Sequence, residues 1–353
     1  MAHHRFSRLG CVVALAALVC ATPLQAAPAP ADPIPAATAR AVVRQTIDLV
    51  EAEGLYPRKQ EEYAAAKAKL MAALEQAGDP VDRQVLFGHV TSLLRTLDAD
   101  GHSFILTASS TRQFEQHVAA TRSVASSFAL VPTAHGQVLH WTPPQSVADM
   151  KVDAPLFLQR FHADYAATAN AEQACALVVD LSAQLGGNAW PPLIAMHPLF
   201  SVGNPAAWVM RDGQRVAFVK PPELRVMQTQ YGGGTDNPLQ RFSGAPFGVV
   251  VGKGTSSAGE MLLIALLGER TRARTFGQTS YGMTTANKTH QLADGSVLLL
   301  TSTRYAIGDD PIIRGGIAPQ VPAEEGQSAA ETVRQAAEWA AQNAPLCSAK
   351  RAL

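Results

Sequence analysis

The sequence predicts an α/β protein in which a helical N-terminal segment precedes a largely buried sheet. Up to about residue 97, apolar residues recur at helical spacing. From about residue 125, short apolar runs separated by Gly and Pro alternate with helical stretches, which is typical of a sheet covered by helices. The 353 residues are 47% hydrophobic and carry 29 Lys and Arg against 29 Asp and Glu, the composition of a globular protein.

Residues 1–26 have the features of a secretory signal peptide. Arg5 and Arg8 precede the apolar run Cys11–Cys20, and Leu24–Ala26 offers a cleavage site that ends in a small residue. The apolar run is too short to span a bilayer. We therefore expect cleavage near Ala26 and export to the periplasm or the exterior, with no stable membrane insertion afterwards.

Three helices are predicted in residues 27–106, which we interpret as an N-terminal helical cap. Their apolar positions fall in Ala39–Leu55, Tyr63–Leu74 and Val81–Leu97. The breakers Gly78-Asp79-Pro80 separate the second helix from the third. Residues 107–353 then form a separate α/β domain.

The α/β region is predicted to alternate between strands and helices. The strands are Ser127–Val131, Val138–Trp141, Ala176–Leu181, Phe247–Val251, Arg272–Phe276 and Ser296–Thr301, and the helices are Ala154–Ala174, Pro191–His197, Ala258–Leu267 and Ala329–Asn343. The dipeptide Asp294-Gly295 predicts a hairpin turn in which both residues supply positive φ angles.

Composition and motifs argue against several classes of function. Aromatic residues make up 6% of the chain and there is no net positive charge, so the signature of nucleic-acid binding is missing. No motif for metal ligation is present, and no cofactor is expected. Two of the four cysteines precede residue 26, and Cys175 and Cys347 form either one disulfide or two buried thiols.

The segment Gly254–Leu263 has the pattern of a turn between a strand and a helix. It follows the apolar strand Phe247–Val251 and runs directly into an apolar helix. Such a turn lets a serine hydroxyl project at the helix N-terminus, where backbone N–H groups and the helix dipole stabilise an oxyanion. The alternative is that Ser and Thr in this turn only cap the helix.

Two further segments offer groups that a nucleophilic serine needs. The strand Val178–Leu181 leads to Gly186-Gly187, whose N–H groups either complete an oxyanion hole or form an ordinary turn. His102 follows a helix in a turn-rich segment and is either a base or a loop histidine without a role. The histidines in helical stretches are taken as structural: His89, His117, His162 and His197.

Taken in order, six segments resemble motifs of the tail-specific, or C-terminal processing, serine protease family. Leu97–Leu106 resembles L-x-D-x-H-T/S, Val178–Asn188 resembles D-L-R-x-N-x-G-G, Thr255–Glu260 resembles T-x-S-A-x-E, Thr275–Gly282 resembles G-E-x-T-x-G, Asp294–Tyr305 resembles D-G-S-x-L-x-L-T-x-x-x-Y, and Gly315–Pro319 resembles G-x-G-I-x-P-D. The resemblance implies a crotonase-like (Clp-protease-like) α/β core with an N-terminal three-helix cap. Residues 107–353 would be the catalytic domain, and the cap would end in the His102 segment.

The resemblance also implies a role for each matched site residue. Ser257 would be the nucleophile and His102 the general base. The backbone N–H groups of Ala258 and of Gly186 or Gly187 would form the oxyanion hole.

Two departures decide which branch of the family the chain resembles. Met283 follows Gly282 where the processing-protease branch has its catalytic Lys, and Thr107–Ala174 lacks the signature of a PDZ domain. The remaining pattern resembles the tricorn-like branch without a PDZ domain, which pairs Ser with His.

Two further departures affect the catalytic groups. Arg314 stands where the family places the Glu that orients the histidine, and Asp309 or Asp310 are the alternatives for that role. Ser182 replaces the Arg of D-L-R, so the shape of the oxyanion strand is open.

Together these expectations describe an exported serine endopeptidase, a hydrolase that cleaves protein or peptide substrates without a cofactor. The alternative is a relative with weak or no activity that binds peptides or apolar ligands in the same cleft. An esterase is disfavoured because no G-x-S-x-G elbow is present. The sequence sets no oligomeric state.

Overall fold

The structure is a computed structural model that describes residues 32–55, 60–97, 102–110, 126–146 and 150–349. The predicted signal peptide, residues 1–26, and the helical histidine His117 lie outside these residues. No helix within the described ranges is long and apolar enough to cross a membrane.

Helices come first along the described chain, and strands and helices alternate after them. The helices are α1 (Ala36–Glu53), α2 (Gln60–Gln76), α3 (Arg83–Leu94), α4 (Met150–Ala167), α5 (Trp190–Ala195), α6 (Pro221–Gln230), α7 (Ala258–Leu267), α8 (Ala329–Asn343) and α9 (Pro345–Ala349). The strands are β1 (Pro33–Ile34), β2 (Val81–Asp82), β3 (Phe104–Leu106), β4 (Ser127–Thr133), β5 (Gly136–Thr142), β6 (Ala176–Asp180), β7 (Ala206–Val209), β8 (Arg215–Ala217), β9 (Phe247–Val251), β10 (Ala273–Gly277), β11 (Thr285–Gln291), β12 (Val297–Ile307) and β13 (Val321–Pro322).

The main sheet has the strand order β13-β10-β9-β6-β5-β4 and is parallel except for the β4–β5 pair. Its central strand β9 is buried along its whole length. Val249 packs in the apolar cluster that includes α4 and α7, while Val250 packs against the alanines of α8 on the other face. The predicted α/β core is therefore confirmed, because helices cover both faces of a largely parallel sheet.

A second sheet has the order β11-β12-β7-β8, and β3 adds to β12 beside it. The N-terminal helices pack onto this sheet. Their buried residues form one apolar cluster, which we call the cap cluster, with Leu292, Leu298 and Leu300 of the β11–β12 hairpin. The three helices lie where the periodicity predicts them, and the boundary at residues 106 and 107 stays a prediction.

One local prediction about backbone conformation was wrong. In the hairpin turn between β11 and β12, Gly295 has a φ of +78°, whereas Asp294 is not among the residues with positive φ. Asp294 instead accepts hydrogen bonds from the backbone N–H and the hydroxyl of Ser296 at 3.0 and 2.7 Å. The aspartate side chain thus closes the turn, so only one left-handed residue is needed.

The two cysteines that follow residue 26 are joined in a disulfide. Cys175 precedes β6 and Cys347 lies in α9, with their Cα atoms 4.9 Å apart. Both are fully buried in the cluster beneath α8. The bridge closes a loop over a sequence separation of 172 and so joins α9 to the start of β6 in the main sheet.

Candidate active site

The turn between β9 and α7 holds Ser257 in a conformation that few side-chain-bearing residues adopt. Ser257 has φ 51° and ψ −111°, which is the left-handed side of the backbone map. The preceding residues fasten this turn to the segment after β6: the Thr255 hydroxyl donates to Leu181 O at 2.8 Å and the Ser256 hydroxyl to Leu185 O at 2.5 Å. The hydroxyls of Thr255 and Ser256 therefore hold the turn in place. The hydroxyl of Ser257 contacts a different residue.

That partner is His102, which comes from a distant part of the chain. The distance between His102 Nε2 and Ser257 Oγ is 3.0 Å, across 155 positions of sequence. His102 is only 6% exposed and lies just before β3, which β12 holds in the second sheet. The structure therefore brings together the serine and the histidine that the sequence singled out, at hydrogen-bond distance.

The other side of the histidine ring is also in contact. Thr285 Oγ1 lies 2.6 Å from His102 Nδ1. The Asn287 side chain, two residues further along β11, donates to the backbone oxygen of His102 at 2.8 Å. Sequence patterns do not reveal these two residues, because β11 is a polar strand without an apolar pattern.

The glycine pair after β6 lies directly against the serine. Gly186 has a φ of +124° and Gly187 a φ of +107°. A Cβ on Gly186 would lie 3.1 Å from Ser257 Cβ, and the Gln145 side chain donates to Gly186 O at 3.1 Å. In the described part of the chain, no backbone carbonyl accepts the N–H of Gly186 or of Ala258. Only glycine allows this close approach with such dihedral angles.

A buried carboxylate lies beneath the serine. Glu260 is fully buried in the first turn of α7. It accepts hydrogen bonds from the Ser257 backbone N–H at 3.1 Å, the Ser280 hydroxyl at 2.6 Å and the Gly282 backbone N–H at 2.7 Å. Glu260 thus links the turn that holds Ser257 to the segment that leads into β11.

We expect Glu260 to make folding stability depend on pH. Burial raises the pKa of its carboxyl above the ordinary 4.5, although the hydrogen bonds from Ser280, Gly282 and Ser257 partly oppose this. The folded state then holds the proton more tightly than the unfolded state, so this contribution to the unfolding free energy is complete below pH 4.5 and is lost as the pH rises through the folded-state pKa. Replacement by glutamine should remove the slope.

The check is urea unfolding of wild type and Glu260→Gln at several pH values from 4 to 7. The difference in unfolding free energy between the two proteins should move in favour of the variant as the pH rises. A constant difference over that range would contradict the prediction.

The acidic residues considered as orienting groups for His102 lie elsewhere. Asp310 is exposed and pairs with Arg270 at 2.6 Å, beyond the C-terminal end of α7, and Asp309 is exposed beside it. Ser257 lies at the other end of that helix, about 15 Å away for ten residues. Asp310 therefore does not lie beside Ser257 and His102, and Arg314 is also exposed.

Ser182 takes part in a polar group at the end of β6. Its backbone N–H donates to Asp180 Oδ1 at 2.9 Å, and Asp180 Oδ2 lies 3.0 Å from His140 Nε2. Burial alone would raise the pKa of Asp180, but the hydrogen bonds from His140 and Ser182 outweigh it and lower that pKa. This arrangement holds the start of the loop that carries Gly186.

Within the described ranges, no group of three or more His, Cys, Asp or Glu side chains is arranged to hold a metal ion.

The part of the chain that contains the Ser257 turn matches a known protein family. The model of peptidase family S41 matches residues 157–323. Those residues form an S41 peptidase domain. Ser257, Gly186, Glu260 and Thr285 lie inside the S41 domain, and His102 lies before it. The expected class, a serine peptidase domain of hydrolase type, is confirmed at the level of the family, and the tricorn-like branch stays a prediction.

Individual proteins are similar to the chain in sequence or in fold. The chain is 31% identical over 130 residues to the nisin-resistance protein of Lactococcus lactis subsp. lactis, a match that covers 36% of this chain and 39% of that relative. A lipoprotein from Streptococcus agalactiae has a similar fold, with a TM-score of 0.65, 18% identity and coverage of 86% and 96% of the two chains. The photosystem II D1 C-terminal processing protease has a TM-score of 0.51, 13% identity and coverage of 85% and 97%. The two solved structures support the fold of the S41 domain alone.

Proposed function

We propose that this protein is an exported serine endopeptidase with Ser257 as nucleophile and His102 as general base. The observation that carries the proposal is the distance of 3.0 Å between Ser257 Oγ and His102 Nε2, in a turn where Ser257 has a φ of 51°. A serine that only capped the helix would need neither the histidine nor the strained backbone.

The reaction is acyl transfer in two stages. Ser257 Oγ attacks the carbonyl carbon of the scissile peptide bond while His102 Nε2 takes the hydroxyl proton. His102 then gives that proton to the leaving amine, and the peptide C–N bond breaks. Water attacks the resulting ester with His102 again acting as base, which releases the acid product and returns the proton to Ser257.

The oxyanion formed in each stage requires donors close to Ser257. The backbone N–H of Ala258, at the first position of α7, and that of Gly186 are the candidates, with Gly187 as the alternative in the same loop. The positive end of the helix and the close contact of Gly186 with the Ser257 side chain support this assignment. Preorganised donors of this kind each contribute about 3–4 kcal/mol to such reactions.

Export is supported by the disulfide between Cys175 and Cys347, because such bonds persist in oxidising compartments. The N-terminal 26 residues have the composition of a secretory signal, in agreement with this proposal. The location we propose is the periplasm or the exterior of the cell.

Peptides are the proposed substrates, and nisin is the first one to test. The support is the 31% identity over 130 residues to the nisin-resistance protein, although the match spans 39% of that relative's length. The chain would then act on nisin by cleaving its peptide backbone.

The proposal is tested by treating the mature protein with a fluorophosphonate probe and locating the adduct by peptide mass mapping. We expect a single adduct on the peptide that contains Ser257, together with cleavage of nisin or of members of a peptide library. A folded protein that gains no adduct and cleaves no peptide would favour the alternative, a relative that binds peptides or apolar ligands in this cleft. An adduct on another serine would refute the assignment of Ser257.

A further inference from the structure

The hydroxyl of Thr285 contacts the edge of the His102 ring that points away from Ser257. The ring nitrogen Nδ1 offers a single in-plane hydrogen bond, and Thr285 Oγ1 lies 2.6 Å from it. Nε2 is engaged by Ser257 Oγ at 3.0 Å. The two nitrogens of His102 are thus each in contact with a hydroxyl, one from the turn before α7 and one from β11.

Thr285 is held firmly in this place by its strand. It is 2% exposed and is the first residue of β11, where it lies opposite Arg304 in the antiparallel pairing with β12. Asn287, on the same strand, fixes the backbone oxygen of His102. One short strand therefore fixes both the ring and the main chain of the histidine.

The neighbouring Thr284 has a different contact and provides a natural comparison. It is 1% exposed, and its hydroxyl donates to Gly315 O at 3.3 Å. Gly315 follows Arg314, the position where the resemblance implies an orienting Glu. The segment of Arg314 thus packs against Thr284, while the group that reaches the histidine ring is Thr285.

We propose that Thr285 is a positioning residue of this active site, a hydroxyl at His102 Nδ1 in the role that the resemblance gives to a Glu. The proposal rests on the function proposed above. When His102 takes the proton of Ser257, both ring nitrogens carry hydrogen, and Nδ1–H donates to Thr285 Oγ1. The threonine so orients the ring and stabilises the imidazolium that forms during attack.

A neutral partner has a chemical consequence. A carboxylate can only accept a hydrogen bond from Nδ1, whereas a hydroxyl can accept or donate. Thr285 supplies no formal charge opposite the imidazolium. His102 is therefore a weaker base than a histidine whose Nδ1 contacts a carboxylate would be. Loss of the hydroxyl should still destabilise the protonated ring, because the oxygen that lies 2.6 Å from Nδ1 would be gone.

The test compares Thr285→Val, Thr285→Ser and the matched control Thr284→Val with wild type, using the rate of fluorophosphonate labelling as a function of pH. We expect Thr285→Val to slow labelling by about tenfold or more and to move the midpoint of the pH profile to lower pH. Thr285→Ser should restore the rate and Thr284→Val should leave it within about twofold. Equal rates in Thr285→Val and Thr284→Val would overturn the proposal.

A second readout separates this proposal from the proposed function. The titration of His102 followed by NMR, with the signal assigned by its loss in His102→Gln, needs no catalysis. A midpoint lowered in Thr285→Val and unchanged in Thr284→Val supports the positioning contact even if wild type proves inactive towards probe and peptides, in which case the proposed peptidase function is the part that fails. An unchanged midpoint in Thr285→Val overturns the contact itself.

Discussion

Replacing Ser257 with alanine should abolish fluorophosphonate labelling and lower the rate of peptide hydrolysis by about 10⁶-fold, the loss typical of removing a serine nucleophile. The neighbouring hydroxyls cannot replace it, because Thr255 and Ser256 donate theirs to the backbone oxygens of Leu181 and Leu185. The measurement is kcat on a cleaved peptide together with intact mass after probe treatment.

Replacement of His102 tests whether the serine and the histidine act together. His102→Ala should lose nearly as much activity as Ser257→Ala, and the double variant should lose no more than either, because the two residues act as one unit. Ser92→Ala on α3, whose hydroxyl donates to Gly88 O, is the control and should keep the wild-type rate. Hydrolysis at the wild-type rate by Ser257→Ala would show that another group performs the chemistry.

Loss of the disulfide should have the largest effect on stability. We expect the Cys175→Ala and Cys347→Ala double variant to lose about 2–5 kcal/mol of unfolding free energy, because the bridge restricts a long loop in the unfolded chain. The sulfur of Cys175 also packs closely against the backbone of Gly136, where an added Cβ would lie 2.8 Å from Sγ. The bridge lies in the cluster beneath α8, away from Ser257, so the variant should still be labelled under folding conditions.

Urea unfolding with and without reductant measures this effect. Wild type in reductant should lose stability, while the double variant should not respond to reductant. Equal midpoints for oxidised wild type and the double variant would show that the bridge contributes nothing to the fold.

The parts of the fold that the sequence predicts are those with an apolar signature. The bounds predicted for Ala258–Leu267 and Phe247–Val251 agree with the structure, because each is an apolar run, buried over all or nearly all of its length, with a glycine directly after it. The strand β11, by contrast, is the mostly polar segment Thr285–Gln291, in which three of the seven residues are exposed. Pairing with β12 makes it a strand, and that long-range contact has no local signal.

The same limit explains what could be predicted of the site. Ser257 and Gly186 follow buried strands that end at one edge of a parallel sheet, so their proximity is implied by the pattern. The pairing with His102 came from a resemblance between motifs, since 155 positions separate the two residues. Thr285 had no such signal, because it opens a strand whose place depends on tertiary contacts.

The two residues of the proposed catalytic pair come from regions that pack in different apolar clusters. Ser257 directly precedes α7, whose buried residues lie in the cluster of the main sheet, whereas His102 lies just before β3, whose Ile105 packs against the cap cluster. A newly synthesised chain that has completed only one of these regions carries a serine without its base or a base without its serine. Under the proposed function, peptide hydrolysis would therefore begin only after both clusters have formed.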